Sequence, residues 1–199
     1  KSWHTWGGEK IEFPGKSEEA SKGIPAIPIF VDSSRGRRRM RRLIYYSINH
    51  AKKCISLTTA YFTPSRRMVE TLEEAKRRGV RVRLLVPGKS DVPAASFAGR
   101  AFFSKLLNAG VEIYTYRGED ILHAKTFIFD ECWSIVGSTN LDFQSLRYND
   151  EGNVGILDTG FASQMAEIFE EDLNNSFKVD REQWLKRPIS EKIKEHFFS

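Results

Sequence analysis

Between Ile121 and Asn140 the chain reads ILHAKTFIFDECWSIVGSTN. His123 stands two residues before Lys125, Asp130 follows after four intervening residues, and Gly137, Ser138 and Asn140 follow after six more. An imidazole, an ammonium, a hydroxyl and a carboxamide in one short stretch suit chemistry at phosphorus. Lysine supplies positive charge for non-bridging oxygens, serine and asparagine supply neutral donors, and histidine attacks phosphorus or moves a proton near neutral pH. A covalent phosphohistidine divides such a transfer into two displacements. Protein side chains already fill the cationic role, so the pattern calls for no metal and no cofactor.

Those side chains need a scaffold that brings them to one point. On a strand His123 and Lys125 share a face, because side chains alternate with period two. Asp130 has the opposite parity and belongs to the turn before Glu131 rather than to the same pocket. Ser138 and Asn140 share a parity and follow a short strand that pairs back as a hairpin, so the set converges near the end of a sheet. Upstream, residues 39–53 form a helix with Leu43, Ile44, Ser47, Ile48 and Ala51 at helical spacing, and residues 54–62 are a β-rich run. Thr63 as N-cap and Pro64 at the first helical position open a second helix, which Gly79 stops. A strand over 80–86, a helix over 97–108 that stops at Gly110 and a strand over 111–116 come next. This β-α-β-α-β order predicts an α/β fold, a mixed and mainly parallel sheet sandwiched by helices. Three strands with no helix between them follow, at 123–129, 133–136 and 153–157. A last helix over 161–174 turns Met165, Ile168, Phe169 and Leu173 to one face.

With 199 residues, 40% of them hydrophobic and 29% charged, the chain has the balance of one globular domain. Disordered, collagen-like and coiled-coil classes are excluded, and a core of this size needs neither disulfide nor structural metal. The longest apolar stretch, residues 24–31, is far short of the roughly 20 residues of a membrane span. The N-terminus, with Trp3, His4 and Trp6, lacks a signal-peptide pattern. Cys54 and Cys132 have no CxxC spacing and read as buried free thiols of a reducing compartment, with a single disulfide as the alternative. Charge is concentrated in one run, RGRRRMRR, which holds Arg35, Arg37, Arg38, Arg39, Arg41 and Arg42 and no acid, although the net charge is only +5. The run reads either as a patch for phosphates of lipid headgroups or nucleic acid, or as the solvated start of a helix. Residues 1–28 read as a linker or lead-in, 29–178 as the compact domain and 179–199 as a C-terminal extension.

The pattern HxKx4Dx6GSxN at His123 to Asn140 resembles the HKD signature of the phospholipase D superfamily. Six fixed positions recur by chance at roughly 10⁻⁸ per starting point, which makes the signal specific. AYFTP at 60–64, RRGVRVRLLVPGKSD at 77–91, LLNAGVEIY at 106–114 and NLDFQSLRYNDEGN at 140–153 are similar to the C-terminal catalytic half of bacterial cardiolipin synthases. The resemblance implies that His123 is the nucleophile or the leaving-group acid and that Lys125 and Asn140 bind phosphate. It makes Ser138 a further donor and Gly137 a point of close backbone approach. Asp130 belongs to the same signature in a mainly structural role, and Glu151 corresponds to the carboxylate that orients the catalytic imidazole. Such enzymes build one site from two HKD motifs, whereas this chain holds one. None of His4, His50 or His196 has a lysine two residues on. Residues 1–8 resemble the tail of a preceding half, so the second half is expected upstream or in a homodimer mate.

The resemblance implies a phosphatidyltransferase, peripheral on the cytoplasmic face of a bacterial membrane, acting on phospholipid and facing anionic lipid with its arginines. The alternative is a homodimeric phospholipase D-like nuclease whose arginines track a phosphate backbone. A third reading is a half-domain kept for phosphate or lipid-surface binding. Tyr61 and Phe62 read as core residues first and pocket residues second. Zinc on Cys54, Cys132 and a histidine has no ligand spacing in its favour, and a serine hydrolase on Ser138 lacks the GxSxG elbow.

Overall fold

The computed structural model describes residues 23–188. The expected tail motif at 1–8, most of the lead-in, His4 and His196 lie outside the described residues. Strand β1 (Ala26–Val31) precedes helix α1 (Ser34–His50), which Ser33 opens by accepting a hydrogen bond from the Gly36 amide at 3.1 Å. The arginine run is thus the first half of α1. Its buried stripe is Met40, Ile44, Ser47 and Ile48, the 3.6-residue period that the sequence shows. Strand β2 (Cys54–Thr58) is separated by a break from β3 (Phe62–Thr63), and helix α2 (Arg66–Arg77) follows. Its cap is Ser65, not Thr63: the Ser65 hydroxyl accepts from the Met68 amide at 3.3 Å, because Thr63 is taken up by strand pairing. Gly79 does stop the helix, in the left-handed conformation at φ +89° that costs an L-residue most.

Strand β4 (Arg81–Pro87) leads to two short helices, α3 (Pro93–Arg100) and α4 (Phe103–Asn108), where the sequence suggests one. After β5 (Glu112–Tyr116) come β6 (Thr126–Phe129), β7 (Trp133–Gly137) and β8 (Leu141–Asp142). Helix α5 (Phe143–Arg147), β9 (Glu151–Leu157), α6 (Thr159–Asn174), β10 (Ser176–Lys178) and α7 (Arg181–Leu185) complete the described chain.

Eight strands form one sheet in the order β1-β9-β7-β6-β2-β4-β5-β10, and β3 pairs with β8 in a second, two-stranded sheet. The expectation of a mainly parallel sheet needs correction. Only β2/β4 and β4/β5 are parallel in the large sheet; its five other pairings are antiparallel. The crossover helix α2 and the pair α3 and α4 allow the parallel pairs. The short turn between β6 and β7 allows only a hairpin, which then sits antiparallel against β2 and β9. The sandwich itself is as expected. One core joins the sheet to α1, α2 and α4 through residues such as Ile44, Leu57, Leu72, Leu84 and Phe127. The other places Leu85, Ile128, Ala162 and Phe169 between the sheet and α6. At the expected domain limits the packing is continuous: β1 starts at Ala26, and Trp184 of α7 is buried in the larger core.

Candidate active site

The site is built where β6 begins and β7 ends. His123 and Lys125 lie in the segment leading into β6 rather than in the strand, which starts only at Thr126. Lys125 is buried, at 7% exposure, while His123 is exposed. The Lys125 ammonium lies 2.8 Å from His123 Nδ1 and also donates to the His123 carbonyl. An ammonium only donates, so Nδ1 accepts and the ring proton belongs on Nε2. Burial lowers the lysine pKa, and the negative charges of Glu151, Asp142 and Asp91 partly restore it. No carboxylate among the described residues touches this ammonium. Tyr61 stands edge-on to the imidazole, ring centroids 6.0 Å apart, and its hydroxyl donates to both oxygens of Asp91 at 2.8 and 2.9 Å. Its neighbour Phe62 is core.

Two-stranded pairing of β3 with β8 brings Tyr61 and Asn140 side by side. Phe62 pairs with Leu141 and Thr63 with Asp142. The buried Asn140 accepts from the Tyr61 amide at 3.2 Å and from the Thr59 hydroxyl at 3.3 Å through Oδ1. That anchors the carboxamide by its oxygen and leaves Nδ2 without a hydrogen bond among the described residues. Ser138 donates to Glu151, and its Oγ accepts from the Gly152 amide at 3.0 Å. Glu151 therefore bonds Ser138 and Asn149, and its carboxylate makes no hydrogen bond to His123.

Gly137 is required by backbone approach, but by that of β9. A Cβ there would stand 2.4 Å from the Gly152 carbonyl oxygen and 2.4 Å from Asn153 Oδ1. Asp130, at the far end of β6, accepts from the amides of Lys52 at 2.8 Å, Lys53 at 2.7 Å and Cys54 at 3.0 Å. It ties the α1–β2 connection to the β6–β7 turn, in which Asp130 and Glu131 have φ of 52° and 51°. Such left-handed residues suit a tight hairpin, and aspartate tolerates them. Of the signature, then, His123 and Lys125 stand together, and Asp130 is a brace away from them.

Two positioning residues escape the sequence reading. Thr59, fully buried, donates to the Tyr61 carbonyl at 2.8 Å and accepts from the Leu141 amide at 3.0 Å. Asn153, also buried, accepts from the Thr139 amide at 3.2 Å and donates to the Thr139 hydroxyl at 2.8 Å, which fixes the loop carrying Ser138 and Asn140. Asn153 closes the NDEGN segment, but only its pairing opposite Gly137 shows its use. The cysteines are half-buried free thiols. Among the described residues no group of three or more His, Cys, Asp or Glu side chains could hold a metal ion, and no helix is long and apolar enough to cross a membrane. Beside Tyr61 opens a cavity of about 470 Å³ walled by Phe62, Val86, Phe103 and Trp184.

The fold is that of the phospholipase D family. The chain superposes on Nuc of Salmonella typhimurium, a phospholipase D family member, with a TM-score of 0.66 at 23% identity, covering 79% of this chain and 99% of that one. On the phosphatidylserine synthase of Haemophilus influenzae Rd KW20 the TM-score is 0.67 at 15% identity, covering 87% of this chain and 45% of that one. Residues 44–173 match the family described as cardiolipin synthase, PLD-like domain, and the chain belongs to that family. It is 40% identical over 148 residues to cardiolipin synthase A of Klebsiella pneumoniae (strain 342), which is 74% of this chain and 30% of that protein. Against cardiolipin synthase A of Cronobacter sakazakii the identity is 38% over 152 residues, 76% and 31% of the two chains. The chain thus spans about a third of the length of the curated relatives it matches.

Proposed function

We propose that this chain supplies one HKD half of the active site of a phosphatidyltransferase of the cardiolipin synthase and phospholipase D type. The carrying observation is the buried Lys125 ammonium set against the His123 ring with no carboxylate on it. A desolvated cation without a counter-ion is a site for an anion, and the phosphodiester of a lipid is the anion that the family points to. Lys125 and the free Nδ2 of Asn140 hold the non-bridging oxygens, with Ser138 as a third donor. Where His123 is nucleophile, the N–P bond forms as the P–O bond to the leaving alcohol breaks, and that alcohol takes its proton from the imidazole of the other half. The acceptor hydroxyl then attacks phosphorus, gives up its proton to that second imidazole, and the N–P bond breaks. In the arrangement seen here the ring proton lies on Nε2, the form that donates. The nucleophilic form needs Lys125 to leave Nδ1 for the phosphate, which the substrate itself brings about. Glu151, held on Ser138, is the carboxylate kept for an imidazole in the completed site.

The second half lies upstream in the same protein or in a homodimer mate, with 29–178 as the catalytic domain. Of the six arginines from Arg35 to Arg42, the exposed Arg35, Arg38, Arg39 and Arg42 face an anionic membrane surface, and the protein works peripherally on the cytoplasmic face of a bacterial membrane. A homodimeric nuclease is the second reading, favoured by the match to almost the whole of Nuc. His123→Ala in the full-length protein is expected to abolish phosphatidyl transfer; transfer left intact would overturn the proposal. Light scattering with a chromogenic diester separates the two readings. An inactive monomer supports the two-motif transferase, and an active dimer silenced by His123→Ala supports the nuclease.

A further inference from the structure

The arginine run is two stripes rather than one. At 100° per residue, Arg35, Arg38, Arg39 and Arg42 fall on the side of α1 away from its buried face, whereas Arg37 and Arg41 flank that face. The second group meets α5. Arg41 donates to the Leu146 carbonyl at 2.5 Å, and Arg37 donates to the Tyr148 carbonyl and to Asp150 Oδ1, both at 3.3 Å. Together with Arg38 and Arg147 they line a cavity of about 230 Å³ between the helices, bounded also by Ser34 and Tyr148. Arg38 and Arg147 have no carboxylate partner among the described residues, and the only acid paired with any of the four is Asp150, on Arg37. Burial and the charges of Arg147, Arg38 and Arg37 lower the Arg41 pKa, as crowding of like charge requires. Such a cluster is held together at a cost that a bound anion removes.

We infer that the cavity between α1 and α5 is a second anion site, which takes the phosphodiester of an anionic phospholipid separately from the catalytic histidine and lysine. Guanidinium forks match phosphate oxygens in pairs, and the volume exceeds the about 30 Å³ share of one water several times over. Two exposed aromatic rings stand at its edge: Phe143 and Tyr148 meet edge to face at 5.4 Å, and Arg147 stacks on Phe143 at 4.9 Å. The amphipathic Tyr148 ring beside these cations suits the headgroup level of a membrane, with the apolar Phe143 ring next to it, which is why lipid is favoured over free phosphate or nucleic acid. The site also adjoins the catalytic one. Tyr148 and Glu151 are three residues apart, within about 11 Å of each other along even a fully extended backbone, and Glu151 holds Ser138. The lipid identity rests on the phosphatidyltransferase reading; the anion site does not.

The test is direct binding of monomeric dihexanoyl-phosphatidylglycerol to the intact chain, so that no membrane surface contributes, with inorganic phosphate and an oligothymidylate as parallel probes. Arg38→Gln/Arg147→Gln removes two exposed side chains that anchor no backbone, and Arg35→Gln/Arg39→Gln is the control of equal charge loss. The pocket pair is expected to weaken lipid binding at least ten-fold and the control less than two-fold. Arg38→Lys/Arg147→Lys, which keeps the charge, should recover part of it and guards against a folding defect. Equal losses in the two glutamine pairs would overturn the site. Phosphate binding as tightly as the lipid, or the oligonucleotide showing the selective loss instead, would overturn the lipid assignment. His123→Ala should leave this binding unchanged, so a failure of the transferase reading shows in activity and a failure of the pocket in binding.

Discussion

Two buried cations, one on a strand of the large sheet and one just before another strand of it, are provided for in opposite ways. Arg83, on β4, is 4% exposed, paired with Glu170 of α6, donates to Ser56 Oγ at 3.1 Å, and stacks over the Phe169 ring at 4.9 Å. Lys125, 7% exposed, has an imidazole and a carbonyl and, among the described residues, no acid. A guanidinium with a carboxylate, a hydroxyl and a ring holds α6 to the sheet. An ammonium without a counter-ion is stable only because the rest of the fold tolerates it, and the tolerance marks a place for something that arrives later. Burial alone does not separate structure from function; the presence of the opposite charge does.

The comparison is broken most severely at Lys125. Lys125→Met should lower diester cleavage by the assembled enzyme about 10²- to 10³-fold, the usual cost of one electrostatic donor at a developing charge. It should leave the melting temperature unchanged or raise it, since an unpaired buried charge disappears; a clear loss of thermal stability would put Lys125 in the class of Arg83. Asn140→Asp keeps the oxygen that Tyr61 and Thr59 hold and replaces the Nδ2 donor with negative charge. Steady-state kinetics should show a loss of about 10²-fold with normal circular dichroism. Arg83→Met should do the reverse, costing about 1–2 kcal/mol in urea unfolding with turnover per folded molecule unchanged.

The smallest effect concerns Glu112, a carboxylate with its cations in place. Burial pushes its pKa up, but hydrogen bonds from Arg81, Lys178 and Tyr114 outweigh this and bring it down to about 2. A folded pKa below the unfolded value near 4.5 means the stabilisation is present above pH 4.5 and is lost as pH falls from there towards 2. At this partly exposed site it is worth about 1 kcal/mol. Acid unfolding of Glu112→Gln should lack that portion of the pH dependence.

Much of this was legible beforehand because the strongest signals are local. The stripe of Ile44 and Ile48 marks α1, the stop at Gly79 ends α2, and the spacing of His123 and Lys125 stands out whether or not the strand reaches them. What escaped is non-local. The two-residue strands β3 and β8 are too short to show a period, yet their pairing moved the cap of α2 from Thr63 to Ser65 and set Asn140 beside Tyr61. Thr59 and Asn153 look like ordinary strand polars until their partners, far away in the chain, are known. The direction of most strands in the sheet is hidden from the sequence for a related reason. Helix-strand alternation describes 54–116, whereas the hairpin strands that follow pair across it and outnumber the parallel pairs.

The way β6 and β7 are inserted has a consequence for the timing of synthesis. They lie between β2 and β9, so Thr58 must find Thr126, and Gly137 must find Asn153, before the segments that carry Lys125 and Asn140 are fixed in the sheet. Closing contacts of such sequence separation is slow and comes after local helices have formed. A nascent chain therefore carries no assembled site until β9 has left the ribosome. His123 and Lys125 are neighbours from the start, but Asn140 and Ser138 are held in place only in a molecule whose sheet has already formed.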